Sequence, residues 1–325
     1  MRILIALCLT AVLVLSCGNE KGQRILPESS GKLNQLSVVI DNNLWEGTVG
    51  ETVREIFGAP VEGLPQEEPL FSMNQMPSEV FNGFAATNRI VLKISVADSS
   101  SMSILTDTYA KPQTVVSVVG ESGNEIIKTL KSNANKFVDT FKKAELSEQQ
   151  KRIAISLGKT DVIKKELGVT LKYQTAYRIA KQDDKFFWLR KTLSEGKGSL
   201  DMMIYEVPID AIRKGDSAVT DIVKIRDEYG KKYITGEDDN AYMGTEDAYA
   251  PYIFDAIIDN KPAYETKGIW DMKNDWMSGP FINYAVEDKI NKRYVIIEGY
   301  AYAPSARKRE YMLEIEAILK TLRIQ

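Results

Sequence analysis

The segment 265–325 constrains the fold more than any other part of the chain. The stretches Glu265–Met272, Phe281–Val286 and Tyr294–Ala303 have the pattern of three successive strands. Pro304 and Ser305 then open a helix whose apolar residues recur on one face: Tyr311, Ile315, Ile318, Leu319 and Leu322. The short connections favour antiparallel pairing, so we predict an α+β fold with antiparallel sheets packed against amphipathic helices.

The sequence as a whole predicts two lobes, an N-terminal one over residues 33–158 and a C-terminal one over residues 159–325. We expect an amphipathic helix from Asn124 that pauses near Leu146, and a new helix from a capping box at Ser147–Gln150. The stretch 215–262 lacks a clear pattern. The other predicted strands are 36–40, 89–96, 113–119, 169–180, 186–191 and 200–207, and the other predicted helices are 44–57 and 161–167. The order of strands and last helix in the C-terminal lobe resembles the PsbP/Mog1-like shape.

The N-terminus has the pattern of a secretory signal. Arg2 is followed by the apolar run Ile3–Leu15, which is shorter than the roughly 20 residues of a membrane-spanning helix. The end of this run, Val14-Leu15-Ser16-Cys17, resembles a bacterial lipobox, although Val14 stands where Leu is usual. We therefore expect residues 1–16 to be a signal peptide and Cys17 to carry acyl chains such as palmitate. The alternative is an ordinary cleaved signal that ends near a cysteine.

The residues after Cys17 predict a tether. Residues 17–32 are polar, with Gly, Ser and Pro, and as a coil they would reach on the order of 20 Å. Gly18 replaces the Asp that usually retains lipoproteins at the inner membrane, so the outer membrane is favoured, on its periplasmic or surface face.

Composition excludes several kinds of chemistry. The 325 residues include no histidine, and the two cysteines are Cys8, inside the signal, and Cys17. Triads built on His, Cys/His zinc sites and disulfides are therefore absent from the expected mature chain, and we predict no cofactor and no metal site. A formal net charge of −3 gives no reason to expect nucleic acid as a partner.

One long connection, Leu64–Pro77, is a candidate partner-binding loop. Long connections inside compact domains are uncommon and often functional. The residues that would contact a partner are Pro65, Pro69, Phe71, Met73 and Met76. The alternative is an extended segment whose Phe71, Met73 and Met76 pack down on the sheet.

Two further groups of residues have a structural and a functional interpretation. The acidic residues Glu237–Asp239, Glu246 and Asp247 do not match a calcium-binding loop and are interpreted as a solvated loop. Trp270 and Trp276, with nearby tyrosines, could form a platform for a sugar or peptide, but on alternating strands such residues are usually paired in a core.

Several stretches resemble an uncharacterised family of Gram-negative envelope lipoproteins, domain of unknown function 4837. They are Ile25–Lys32, Leu36–Asp41, Leu44–Trp45 and Gly58–Phe71, of which the last is the most specific. The resemblance extends over nearly the whole chain after Cys17. It implies a lipoprotein, and it implies no activity and no catalytic residues.

These observations favour a non-catalytic, lipid-anchored envelope protein that binds another envelope component, either a protein or a glycan. The alternative is a carboxylate-dependent enzyme acting on glycan, which requires two acids about 5–10 Å apart in a cleft.

Overall fold

The computed structural model describes residues 25–238 and 240–325, which form two lobes, each with a sheet and its own hydrophobic core. The strands of the N-terminal lobe are β1 (Gln35–Val39), β2 (Ser72–Met76), β3 (Ile90–Val96), β4 (Ser101–Thr106) and β5 (Thr114–Gly120). Its helices are α1 (Asn42–Glu46), α2 (Thr48–Phe57), α3 (Gly123–Ser132) and α4 (Ala134–Ile153).

The N-terminal sheet has the order β2-β1-β3-β5-β4. The pairs β1–β2, β1–β3 and β3–β5 are parallel, and only β4 joins its described neighbour in antiparallel fashion. The expectation of antiparallel sheets therefore does not hold for this lobe. For the pair β1–β2 the reason is the connection: α1 and α2 separate these strands, and a helical crossover of this kind returns the chain in the same direction.

The C-terminal lobe contains an antiparallel sheet of the order β10-β12-β13-β14-β9-β8-β7, with β11 also paired to β12. Its strands are β6 (Val169–Thr170), β7 (Arg178–Asp183), β8 (Phe186–Thr192), β9 (Ser199–Pro208), β10 (Tyr242–Thr245), β11 (Tyr252–Ile258), β12 (Lys261–Lys273), β13 (Ser278–Asp288), β14 (Arg293–Tyr302) and β15 (Arg323–Ile324). Its helices are α5 (Asp161–Leu167), α6 (Ala218–Tyr233) and α7 (Arg309–Leu319). The predicted α+β class is confirmed.

Helices cover both faces of the C-terminal sheet. The core on one face includes Ile315, Ile318 and Leu319 of α7, as the spacing of these residues predicts. The core on the other face includes Ile222 and Ile225 of α6.

Helix α4 belongs to both lobes. Phe137 and Phe141 are buried in the N-terminal core, whereas Ile153, at the end of the same helix, is buried in the C-terminal core. The predicted pause near Leu146 and the new helix from Ser147 are wrong, because the helix is continuous there. The break lies at Asn133, which separates α3 from α4.

The predicted tether ends earlier than expected. Ser29 N donates to Lys111 O at 3.1 Å, and Ser30 N donates to Thr87 O at 2.9 Å, so this part of residues 17–32 is bound to the N-terminal lobe. Cys17 and residues 1–16 lie outside the described residues. In the part of the chain that the structure describes, no helix has both the length and the apolar character needed to cross a membrane.

Candidate functional site

A cavity of about 220 Å³ lies where the two lobes meet, and we call it the inter-lobe cleft. It is lined by segment 61–64 and α4 from the N-terminal lobe, and by β12, β13 and α7 from the C-terminal lobe. The apolar lining consists mainly of half-buried side chains: Val61, Leu64, Leu70, Leu146, Met312 and Leu313. The charged lining consists of Glu62, Asp139, Lys142, Lys143, Lys267, Arg309, Glu316 and Lys320.

Helical periodicity places these residues at the cleft. Asp139, Lys142, Lys143 and Leu146 are spaced i, i+3, i+4 and i+7, so α4 presents them on one face. Helix α7 does the same with Arg309, Met312, Leu313 and Glu316. This stripe of α7 lies beside the buried stripe that packs on the sheet, so the helix has one face for the core and another for the cleft.

A glycine lets the third side of the cleft approach the sheet. Gly63 has φ +79°, in the left-handed region that favours glycine, and a Cβ built there would lie 3.0 Å from Lys267 Cβ. Segment 61–64 can therefore lie directly against β12. A side chain at position 63 would push this segment away from the other lobe.

The charges inside the cleft are arranged in pairs. Glu316 lies 2.7 Å from Lys320, and Lys267 lies 2.6 Å from Glu265. Burial raises the pKa of Glu316, but Lys320 and Lys267 outweigh burial and hold this pKa below its ordinary value. Burial lowers the pKa of Lys267, but Glu316 and Glu265 outweigh it and raise this pKa overall. Both groups are therefore charged at neutral pH.

Exposed charges line the rest of the cleft. Lys142 and Lys143 make no hydrogen bond or ion pair with any described residue, and the same is true of Glu62 and Asp139. The cleft thus offers apolar surface together with available charges of both signs. Such a site can bind a small, partly apolar molecule and orient its polar end.

The candidate partner-binding loop contacts the other lobe of the same chain. Glu68 accepts hydrogen bonds from Lys308 N at 2.6 Å and Arg309 N at 3.3 Å, at the N-terminus of α7. Arg309 Nη1 donates to Pro69 O at 2.6 Å, and Arg309 Nη2 donates to Ser72 Oγ at 3.1 Å. The residues of this loop therefore fix the position of α7 relative to the N-terminal lobe.

The five candidate residues of this loop have different environments. Phe71 is 1% exposed within the N-terminal core, so it has no surface to offer a partner. Met73 and Met76 are half-buried against cores of the same lobe, as the packing alternative predicts. Pro69 is half-buried, and Pro65 is exposed. The sequence singled out this long connection but not Glu68. Three glutamates lie close together at positions 62, 67 and 68, and nothing in the sequence distinguishes the one that is buried.

The two candidate tryptophans are not a platform. Trp270 is 1% exposed and packs edge-on against Tyr300, with ring centroids 5.4 Å apart, which is the core pairing expected on strands. Trp276 is 77% exposed and tilts toward Tyr302. The acidic stretch contains Asp239, which lies outside the described residues; among the described residues, no cluster of acids has the form of a metal site.

Two buried carboxylates face the core of the C-terminal lobe instead of the cleft. Glu298 lies 2.9 Å from Arg226 Nε, and Asp201 accepts from Arg190 Nε at 2.7 Å and from Trp188 Nε1 at 2.8 Å. Both acids are 0% exposed. Burial raises the pKa of each, and its arginine only partly offsets the effect. No substrate can reach them, so we interpret them as structural ion pairs.

The architecture defines a class of protein: a two-lobed α+β body with an apolar, partly charged cleft between the lobes. The model of domain of unknown function 4837 matches residues 156–321, just over half of the chain, and the protein belongs to this family. A second model, domain of unknown function 8532, matches residues 29–154. The family inferred from the sequence is confirmed. The match to it covers residues 156–321, and not nearly the whole chain after Cys17 as expected from the sequence. The quoted stretches between Ile25 and Phe71 precede the part that the first model matches.

Comparison with solved structures adds little. The Ran-binding protein Mog1p of Saccharomyces cerevisiae is 8% identical, with 48% of this chain and 89% of that chain covered and a TM-score of 0.30. Human StAR-related lipid transfer protein 5 is also 8% identical, with 55% and 98% covered and a TM-score of 0.24. The similarity to both chains is too low to say more about the fold or the function. No curated protein matches the sequence.

Proposed function

We propose that the protein is a lipid-anchored, non-catalytic protein of the cell envelope, which binds another envelope component in the inter-lobe cleft. The observation that carries this proposal is the cleft itself, an apolar cavity between two helix faces with charged groups around it. The lipobox-like Val14–Cys17 supports the anchor, and Gly18 favours the outer membrane.

The size of the cleft limits the ligand. A volume of about 220 Å³ is below the roughly 300–1,000 Å³ of pockets that enclose drug-sized molecules. The ligand is therefore a small molecule, or a short part of a larger one such as a chain end or a single side chain. Leu64, Leu146 and Met312 would contact its apolar part, and Lys142 and Lys143 an acidic group on it.

The charge states in the cleft favour binding over carboxylate catalysis. A glycan hydrolase of this kind needs one carboxylic acid that keeps its proton near neutral pH. Lys320 and Lys267 hold the pKa of Glu316 below its ordinary value, so this acid is a poor proton donor.

The anchor is tested on the native protein. We expect mass spectrometry of its N-terminal peptide to show acyl chains on Cys17, and fractionation to place it with the outer membrane. Cys17→Ser should release it into the soluble fraction. An unacylated N-terminus, or a cytosolic location, contradicts the anchor whatever the cleft binds.

The cleft is tested by filling it. We would purify the wild type and Leu313→Trp from their envelope fraction in mild detergent and analyse bound small molecules by native mass spectrometry. Leu313 lines the cleft, and Leu105→Trp is the control, because Leu105 is 44% exposed on β4 and outside the cleft. We expect a bound component in the wild type and in the control that is absent from Leu313→Trp. Equal occupancy in all three proteins contradicts the cleft as the binding site, and release of sugars from envelope glycan by the wild type but not by Glu316→Gln supports the enzyme instead.

A further inference from the structure

The loop Ser78–Thr87 exposes apolar side chains although its backbone is firmly held. Phe84 is 83% exposed and Val80 is 54% exposed. Between them, Phe81 is buried with Val91 of the sheet in a small core of the N-terminal lobe. A loop that buries one aromatic ring and exposes the next presents Phe84 as a fixed feature of its surface.

Hydrogen bonds hold this loop in place. Gln113 Nε2 donates to Ala86 O at 2.7 Å and to Asn88 O at 2.8 Å. Phe81 also packs edge-on against Tyr109, with ring centroids 5.2 Å apart. The exposed position of Phe84 is therefore built into the lobe.

The N-terminal segment enters the lobe beside this loop. The hydroxyl groups of Ser30 and Thr87 lie 2.7 Å apart, and Thr87 Oγ1 donates to Phe84 O at 2.8 Å. Two hydrogen bonds thus connect the entering chain to the residue with the exposed ring. Ile25, which precedes this contact, is 96% exposed.

The length of chain before this contact limits its distance from the lipid. Pro27, whose carbonyl accepts from Lys111 N at 2.9 Å, lies ten residues after Cys17. A chain of that length spans at most about 35 Å when extended, and about 17 Å as a coil. If Cys17 is acylated, as the proposed function states, the face that carries Phe84 is held close to the bilayer.

We propose that Phe84 and Val80 rest in the interfacial region of the bilayer and orient the N-terminal lobe on the membrane. The exposed charges on this side are mixed, with Lys32 and Lys111 against Glu28 and Glu79. Contact between apolar side chains and lipid, and not attraction to anionic headgroups, drives the association. An exposed aromatic ring beside a lipid anchor fits this role because aromatic side chains favour the membrane interface.

The test uses the acylated protein, which has no cysteine after Cys17. Asn82→Cys, in the same loop with Phe84 intact, is labelled with a thiol-reactive NBD dye. Ile290→Cys is the control, because Ile290 is 87% exposed in the turn between β13 and β14 of the other lobe. Each protein is added to vesicles of phosphatidylethanolamine with or without phosphatidylglycerol, and flotation and dye emission are measured.

We expect all variants to float. The dye at position 82 should brighten at least twofold and shift to the blue, equally with both lipid mixtures, whereas the dye at position 290 should not change. Adding Phe84→Ser should abolish the response at position 82 without preventing flotation. Flotation with an unchanged dye at 82, or equal responses at 82 and 290, overturns this orientation while the anchor stands. Failure to float overturns the anchor and the orientation together.

Discussion

At the scale of single residues, the buried ion pair of Arg226 and Glu298 carries a clear energetic prediction. Arg226 is 1% exposed, and its guanidinium also lies 4.0 Å from the centre of the Phe281 ring. Arg226→Met leaves the carboxylate of Glu298 buried without its counter-charge, and we expect the free energy of unfolding to fall by about 3–5 kcal/mol. The double variant Arg226→Met/Glu298→Leu should recover most of this loss, because apolar replacement of a whole buried pair is often neutral.

Urea denaturation of the two single variants and the double variant tests this prediction. The control is Lys224→Met on the same helix, whose partner Glu228 is 4.0 Å away and where both side chains are exposed. Lys224→Met should change the free energy of unfolding by no more than about 1 kcal/mol. Additive losses in the double variant would show that the two residues do not stabilise the fold as a pair.

A second residue-scale prediction concerns pH. Two side-chain hydrogen bonds from Arg213 hold the pKa of Asp221 at about 2, below its ordinary value of 3.8. Because the pKa is lower in the folded protein, this pair stabilises the fold above pH 3.8, and the stabilisation is lost as the pH falls through about 2. In a titration followed by carboxyl NMR, Arg213→Gln should return the midpoint of Asp221 toward 3.8. A midpoint that does not move would show that Arg213 is not the cause.

At the scale of secondary-structure elements, Glu68 acts as an N-cap that the other lobe supplies to α7. Glu68→Ala leaves the amides of Lys308 and Arg309 without this acceptor, so we expect a loss of about 0.5–2 kcal/mol in unfolding free energy. Hydrogen exchange at these two amides should accelerate as well. Glu67→Ala, at the exposed neighbour, is the control and should have no effect. Equal results for the two variants would contradict a capping role.

Sequence patterns predicted the elements that bury many apolar residues. Helix α7 repeats cleanly because one face of it meets a core, whereas strands β13 and β14 form nearly continuous apolar runs because each faces a core on both sides of the sheet. Strand β4 was missed because Ser101–Thr106 is an edge strand with no fully buried side chain. Helix α6 was missed because a buried charged residue, Arg226, interrupts its apolar face.

The predicted break in α4 has a similar cause. Glu145 and Gln149 are buried and polar, so the apolar pattern ends near Leu146 while the helix continues. Glu145 is 0% exposed, and its buried carboxylate is stabilised by hydrogen bonds from Asn34 N at 2.6 Å and from Arg89 Nε at 2.8 Å. In a sequence pattern, a buried acid that is held by hydrogen bonds cannot be told from an exposed surface residue. The apolar pattern therefore predicts too short a length for a helix that passes from one core to another.

At the scale of the whole molecule, the cleft could not be predicted, because its lining residues come from distant segments. The two helix faces that form it, on α4 and α7, are separated by more than 150 residues. The parallel pairing of the N-terminal sheet could not be predicted for a similar reason, since the sequence of one strand does not determine which other strand pairs with it. The absence of histidine is independent of the fold, so the exclusion of triads and zinc sites built on that residue rests on the sequence alone.

The shared helix α4 leads to a prediction about cooperativity. Because Phe141 is buried in the N-terminal core and Ile153 in the C-terminal core, unfolding of either lobe exposes part of the other. Gln150 Nε2 also donates to Ala317 O of α7 at 3.1 Å. We therefore expect both lobes to unfold in one transition.

Native-state hydrogen exchange tests this coupling through a single core substitution. Phe141→Ala should cost about 3–5 kcal/mol, and it should lower the opening free energy of β3 and of β14 by the same amount. Phe84→Ala, at an exposed ring of the same lobe, should change neither strand. If β3 loses protection while β14 keeps it, the lobes open independently, and the cleft between them can widen without unfolding either core. Equal losses would instead mean that the cleft is held at a fixed width, so that a ligand must fit the space already present.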